Sequence, residues 1–123
     1  MISQSVRTVA SETVELLKAL GDPHRLSIVA TLAGTSHPVC VCDLVDGLPI
    51  GQSSVSHHLA ILREAGVVTS ERVRGHGRPT TIVRITPEGR TRFLAYVDEL
   101  EAVVRGVQQR AEAPQSSRLA AQS

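Results

Sequence analysis

The chain has 123 residues, of which 41% are hydrophobic and 20% charged, and this composition is typical of one globular domain. No apolar run approaches the roughly 18–20 residues that a membrane span requires, and two cysteines are too few for a disulfide framework. These features exclude a transmembrane protein and a disulfide-rich secreted protein. The first residues lack a basic segment followed by an apolar stretch, so we expect no secretory signal and a cytoplasmic protein without a membrane partner.

The net charge of +1 is unevenly distributed along the chain. Residues 52–92 carry seven arginines against three glutamates, and three of the five histidines. A local basic surface is typical of nucleic-acid binding. A solvated face of mixed charge has the same composition, so charge alone leaves both interpretations open.

The hydrophobic periodicity predicts a helix over 8–20, a second over 23–33 that Asp22 caps, and a short helix over about 41–47. A fourth helix follows over 52–65. Two β-branched segments at about 67–74 and 80–85 predict a hairpin. Thr86 caps a last helix that reaches about residue 111, and we expect residues 112–123 to form a flexible polar tail. The predicted fold is mainly α with a small β-hairpin, a homodimeric winged helix-turn-helix in which residues 1–111 bind DNA and dimerise.

The fourth helix has an apolar stripe and a polar face. Val55, Leu59 and Leu62 recur at helical spacing and are expected to face the core. The opposite face and the shoulders of the helix carry short polar side chains that suit base edges in a DNA major groove. The candidate DNA contacts on this helix are Gln52, Ser53, Ser54, Ser56 and His57, with Arg63 placed to reach a phosphate.

The predicted hairpin is basic. Arg72 and Arg74 lead into its turn, and His76 and Arg78 lie in the turn. Arginines at a narrow hairpin tip suit a minor groove or the flanking DNA backbone. Basic hairpins are also common as ordinary surface loops, but this one directly follows a helix-turn-helix, which favours double-stranded DNA as the partner.

The first and last helices carry apolar stripes that exceed the needs of one small core. We therefore expect a homodimer, because paired half-sites in DNA are read by two copies of the reading helix. The candidate dimer residues are Val9, Leu16, Leu20, Phe93, Val97, Leu100 and Val104.

Three segments, "ALGDPHRLSIVATL", "VCVCDL" and "SSVSHHLAILREAGVV", resemble the ArsR/SmtB family of arsenic- and metal-sensing bacterial repressors over roughly residues 15–85. The resemblance implies a homodimeric winged helix that binds an operator and releases it when an inducer binds. In many family members the segment equivalent to Cys40–Leu44 supplies thiolate ligands.

Two departures from the family weaken this implication. Arsenic sensors of the best-known type have a third cysteine one turn after the pair, where this chain has Val45. The zinc- and nickel-type site on the last helix requires histidine, and residues 87–111 contain none.

Cys40 and Cys42, which we call the cysteine pair, are the candidate metal ligands, with His37 as a candidate third ligand. Side chains two residues apart diverge in regular helices and strands, so joint ligation needs irregular backbone, which a helix start beside Pro38 provides. Two thiolates suit As(III) or another thiophilic ion as inducer, and no cofactor is expected to be required. We expect an internal disulfide to be disfavoured because its ring is small. The alternative is that both cysteines are small buried hydrophobic residues.

The sequence therefore predicts a DNA-binding transcription regulator, a repressor that a thiophilic metal or metalloid such as arsenite releases from its operator. The alternative is a related regulator that does not sense metal and responds to another signal, to thiol redox, or to none. We expect no enzyme, because no nucleophile, base and acid come together and His57 and His58 diverge on a helix.

Overall fold

The computed structural model describes residues 11–75 and 77–122. The elements follow in the order α1 (Ser11–Leu20), α2 (Pro23–Ala33), β1 (Val39–Cys40), α3 (Val41–Gly47), α4 (Gln52–Glu64), β2 (Val68–Gly75), β3 (Arg78–Ile85) and α5 (Pro87–Gln122). The predicted helices and hairpin are present, and the winged helix-turn-helix class is confirmed. The two-residue strand β1 was not predicted.

The chain divides into two compact units, one ending at Arg92 and the other beginning at Phe93. Helix α5 continues to Gln122, beyond the predicted end near residue 111. The backbone of residues 112–122 is helical, and the expectation that residues 112–123 form a flexible polar tail stays a prediction. Among the described residues, no helix is both long enough and apolar enough to cross a membrane.

The core of the first unit is aliphatic. Helix α4 packs against α2, α3 and β2, and α2 also packs against β3. The most deeply buried side chains come from these elements: Ile28, Val29, Leu32, Val55, Leu59, Leu62 and Val83. Removing so many aliphatic side chains from water is the main contribution to the stability of this unit.

The ends of the helices in this unit are specified by local hydrogen bonds. The Asp22 carboxylate accepts from the backbone N–H groups of His24 (2.8 Å) and Arg25 (3.1 Å), which caps α2 as predicted. Helix α4 ends in a Schellman motif, in which Val67 N–H donates to Leu62 O (2.9 Å) and Gly66 N–H to Arg63 O (3.0 Å). Gly66 has a φ of 75° there, a left-handed conformation that favours glycine.

The three strands form an antiparallel sheet in the order β1-β3-β2. Strand β1 pairs Val39 with Val83 and Cys40 with Ile82, so the residue immediately before α3 belongs to the sheet of the hairpin. A two-residue strand has no periodicity of its own, which explains why the sequence pattern indicated only a loop here.

Arg90 is a structural arginine that the sequence analysis missed. Its guanidinium donates to the carbonyl oxygens of Ala33, Leu32 (3.3 Å) and Thr35 (2.8 Å). These carbonyls lie at the end of α2, where a helix leaves its last C=O groups without internal partners. Arg90 therefore caps α2 from the first turns of α5.

Gly89 lies where α5 passes the end of α4. An added Cβ would lie 2.7 Å from Val67 O and 2.8 Å from Thr86 Oγ1, and the latter accepts from Gly89 N–H. We expect Gly89→Ala to destabilise the protein by about 1–3 kcal/mol through this overlap. Gly106→Ala is the matched control, because a Cβ there meets nothing within 4 Å and alanine favours helix by about 1 kcal/mol. Urea unfolding of both variants measures the difference, and equal midpoints would contradict the overlap.

Candidate nucleic-acid interface and cysteine pair

Helix α4 presents a continuous polar face. Its apolar stripe is buried, and the side chains of Gln52, Ser53, Ser54, Ser56 and His57 are all exposed. Gly51 precedes the helix and has no side chain to cap it. The N–H groups of the first turn are therefore available to an anionic partner, as helix N-termini are to phosphate.

Arg63 lies near the end of α4, and arginines of the β2–β3 hairpin follow it in the chain. Arg63 Nη1 donates to Ser70 Oγ (3.2 Å), which links the end of α4 to β2. Arg72, Arg74 and Arg78 are exposed. Arg72 and Arg74 project from the same face of β2, because side chains two residues apart on a strand do so. The predicted contact at His76 lies outside the described residues.

His58 connects α4 to the start of α2. Its Nε2 lies 3.8 Å from Asp22 Oδ1, and its Nδ1 lies 3.1 Å from Arg25 Nη1. Arg25 Nε in turn donates to Ala19 O (2.6 Å). The position of α4 is thus tied to the α1–α2 connection through one partly buried imidazole, a contact that the spacing of residues did not reveal.

We expect stability to depend on pH through His58. Burial lowers the pKa of His58, and Arg25, His24 and His57 lower it further, against an opposing effect of Asp22. The folded state therefore disfavours the imidazolium. The free energy of unfolding is highest above the ordinary histidine pKa of 6.5, and it declines as the pH falls below that value. Urea midpoints measured from pH 8 to about pH 5 should fall for the wild type more than for His58→Gln. Parallel curves for the two proteins would contradict this assignment.

The cysteine pair forms a disulfide, which corrects the expectation that this bond is disfavoured. Cys40 has an extended backbone and is the N-cap of α3, whereas Cys42 lies in the first turn of that helix. This change of conformation brings the Cα atoms to 5.2 Å, within the range that a disulfide spans. Cys40 Sγ also accepts from Cys42 N–H (3.2 Å). Cys40 is partly buried and Cys42 is exposed, so neither residue is a fully buried hydrophobic side chain.

The candidate metal ligands do not form a complete site. Among residues 11–75 and 77–122, no three histidine, cysteine or acidic side chains are grouped so as to hold a metal ion. His37 is exposed, and its backbone N–H donates to Thr35 Oγ1 (3.2 Å). The reduced pair alone would offer two sulfurs, which is fewer than a closed thiolate site uses.

The predicted dimer residues have different environments. Leu16 and Leu20 are only 4% and 7% exposed within the single chain, where they belong to its core, and their role in a dimer stays a prediction. Val9 lies outside the described residues, Phe93 is buried and Val97 is partly buried.

The remaining two candidates belong to an exposed apolar stripe of α5. Leu100 and Val104 are each 45% exposed, and Val103 and Val107 on the same helix are also exposed.

A helix-turn-helix of α3 and α4, followed by an arginine-bearing hairpin, defines the winged-helix class of transcription regulators.

Residues 22–70 match the family described as "Bacterial regulatory protein, arsR family". An uncharacterized HTH-type transcriptional regulator of Methanocaldococcus jannaschii is 43% identical over 61 residues, covering 50% of this chain and 67% of that protein. The arsenical resistance operon repressor of Escherichia coli is 44% identical over 55 residues, covering 45% of this chain and 46% of that protein.

Among solved structures, the transcriptional repressor BigR from Xylella fastidiosa has a TM-score of 0.56 and 30% identity, covering 71% of this chain and 82% of that one. The chain therefore belongs to the arsR family of bacterial regulatory proteins, which confirms the predicted resemblance. These relatives are regulators, which also confirms the prediction of a regulator rather than an enzyme. The chain spans about half the length of most of the curated relatives it matches.

Proposed function

We propose that the protein is a homodimeric, cytoplasmic repressor that binds double-stranded operator DNA through α4 and the β2–β3 hairpin. The observation that supports this most strongly is the exposed polar face of α4, held by a fully buried apolar stripe and flanked by arginines. A rigid helix with short polar side chains enters a major groove without steric conflict.

The contacts divide into two kinds. Gln52, Ser53 and His57 lie toward the start of α4, where side chains reach base edges, and glutamine pairs with adenine there. Arg63 and the exposed hairpin arginines supply phosphate or minor-groove contacts, which add affinity and orient the protein.

Selection of binding sites from a random duplex pool tests this proposal. We expect the protein to enrich sites with two-fold symmetry, with half-sites about one helical turn of DNA apart. A pool without any enriched sequence after several rounds would overturn sequence-specific recognition.

The proposed dimer forms through the exposed apolar stripe of α5. Leu100 and Val104, with Val103 and Val107 beside them, are aliphatic residues that lie about three or four positions apart and so share one helix face. Exposed apolar surface of this kind is typical of an association site. A second copy of the chain supplies the second reading helix that a symmetric site requires.

The proposed effector site is the cysteine pair. A thiophilic ion such as As(III) suits two thiolates, and the name of the related arsenical resistance operon repressor supports this choice. The ion requires the reduced pair and at least one ligand from outside the described residues. The second candidate is thiol redox, which the disulfide itself favours.

Replacing both cysteines by serine should separate these candidates from a DNA-binding protein without an effector at this position. We expect Cys40→Ser, Cys42→Ser to bind a selected duplex like the wild type but to lose the response to arsenite, to diamide, or to both. Fluorescence anisotropy of the labelled duplex measures each response. A double variant that still responds like the wild type would rule out the pair as the effector site.

A further inference from the structure

A cleft of about 590 Å³ lies between the cysteine pair, the reading helix and the hairpin. Its walls include both cysteines of α3 and β1, Gln52 and Ser56 of α4, and two arginines, Arg63 and Arg72. The volume falls within the roughly 300–1,000 Å³ range of small-molecule sites. All of these residues belong to the same compact unit.

The charge of the cleft favours an anion. Arg63 and Arg72 line it from α4 and β2, and Asp46 of α3 is the acidic residue among its lining side chains. Guanidinium groups bind carboxylates through paired hydrogen bonds. The disulfide in the same wall is an electrophile, and the species that attacks a disulfide is a thiolate.

We infer that this cleft is a binding site for small thiols that carry a carboxylate, and that such a thiol reacts there with the cysteine pair. The bound thiolate attacks Sγ of Cys42, the exposed member of the pair. A sulfur–sulfur bond forms between the ligand and Cys42, the Cys40–Cys42 bond breaks, and Cys40 leaves with the electron pair as a thiolate. No further oxidant or reductant is needed, because one disulfide replaces another.

The surroundings of the pair suit this direction of attack. Cys40 Sγ already accepts a hydrogen bond from Cys42 N–H (3.2 Å), and a hydrogen bond to the charged form stabilises a thiolate. The ligand carboxylate would lie against Arg63 and Arg72, which line the same cleft. Reversal of the reaction, with Cys40 attacking the mixed disulfide, releases the thiol and restores the pair.

This inference rests on the proposed function only where it predicts how the thiol adduct changes DNA binding. Four of the proposed DNA contacts, Gln52, Ser56, Arg63 and Arg72, also line the cleft. A thiol carboxylate held there occupies side chains that would otherwise contact DNA, so we expect the adduct to bind the duplex more weakly.

A charge series of thiols tests the inference on the wild-type protein. The disulfide form is mixed with 3-mercaptopropionate, 2-mercaptoethanol or cysteamine, which are anionic, neutral and cationic, at equal thiolate concentrations. Each rate is divided by the rate of the same thiol with a neutral small-molecule disulfide, because thiolates of higher pKa are intrinsically more nucleophilic, and the rates compared below are these normalised rates. Iodoacetamide quenches the reaction and traps Cys40, and intact mass spectrometry counts the protein that carries one ligand and one carbamidomethyl group. We expect 3-mercaptopropionate to react about tenfold faster than 2-mercaptoethanol, the effect of two exposed ion pairs, and cysteamine to be the slowest.

Arg63→Gln, Arg72→Gln should reduce the ratio of the two rates to about one, since both favourable ion pairs are lost. Arg84→Gln is the matched control, because Arg84 is an exposed arginine of the same hairpin outside the cleft lining, and it should retain the ratio. Equal rates across the charge series on the wild type, or attachment of the ligand to Cys40 in peptide maps, would overturn the inference.

Binding of a selected duplex, measured on the same samples, separates the two proposals. Sequence-specific binding without any preference for anionic thiols would sink the inference and leave the proposed function intact. Charge-dependent adduct formation in a protein that does not recognise DNA would sink the proposed function and leave the thiol site intact.

Discussion

Replacing Ser53 with glutamate is expected to lower the affinity for a selected duplex by at least about 100-fold, since a like charge against the DNA backbone costs several kcal/mol. Ser53 is exposed on α4, on the side opposite the buried Val55 and Leu62. It is the second residue of the helix, where an acidic side chain stabilises the helix through its dipole. The variant should therefore fold at least as well as the wild type.

Fluorescence anisotropy at about 150 mM salt measures this loss, because affinities for DNA depend steeply on salt. Ser27→Glu is the matched control. It introduces the same charge at an exposed serine of α2, outside the proposed DNA contacts, and should reduce affinity only slightly. If both variants lose affinity to the same extent, net charge rather than the α4 face determines binding.

Leu100→Glu, Val104→Glu should convert the proposed dimer to a monomer. Both side chains are 45% exposed in the single chain, so the change does not remove a buried core residue. In the dimer, each substitution would place unpaired charge in an apolar contact, and burial of an uncompensated charge costs several kcal/mol. We expect the dissociation constant of the dimer to rise by at least about 100-fold, with a parallel loss of affinity for symmetric DNA.

Sedimentation equilibrium gives the oligomeric state of this variant directly. Ala102→Glu is the control, because Ala102 is exposed and lies about half a turn away from Leu100 and Val104 on the helix wheel. A monomeric wild type, or a double variant that remains dimeric, would contradict the role of the α5 stripe.

The winged-helix fold was predictable from the sequence because its elements have strong local patterns. The stripe of Val55, Leu59 and Leu62, the cap at Asp22 and the Gly-containing turn after α4 each specify structure within a few residues. The exposed polar face of α4 followed from the same stripe, since a helix with one buried side must present the other to solvent.

Long-range features were less predictable. Contacts of Arg90 with the end of α2 join residues 55–58 positions apart, and no short spacing reveals them. The burial of Leu16 and Leu20 in the chain's own core was not predictable either, because an apolar stripe does not distinguish a partner from that core. The disulfide depended on the change from extended backbone to helix between Cys40 and Cys42, which their spacing alone could not establish.

The cleft depended on tertiary structure in the same way. Its walls come from segments up to about 40 residues apart, and strand β1, which holds Cys40 beside the hairpin, was itself not predictable. The cysteine pair and four of the proposed DNA contacts are distant in the sequence, whereas the structure brings them to one cleft.

The central claim, that the face of α4 reads DNA sequence, is tested most directly by one ratio of affinities. The wild-type protein is titrated with a selected duplex and with a shuffled duplex of the same composition at the same salt. We expect binding to the selected duplex to be tighter by about 1,000-fold or more, the range of specific recognition. Equal affinity for the two duplexes would contradict the claim and leave only non-specific binding by the arginines.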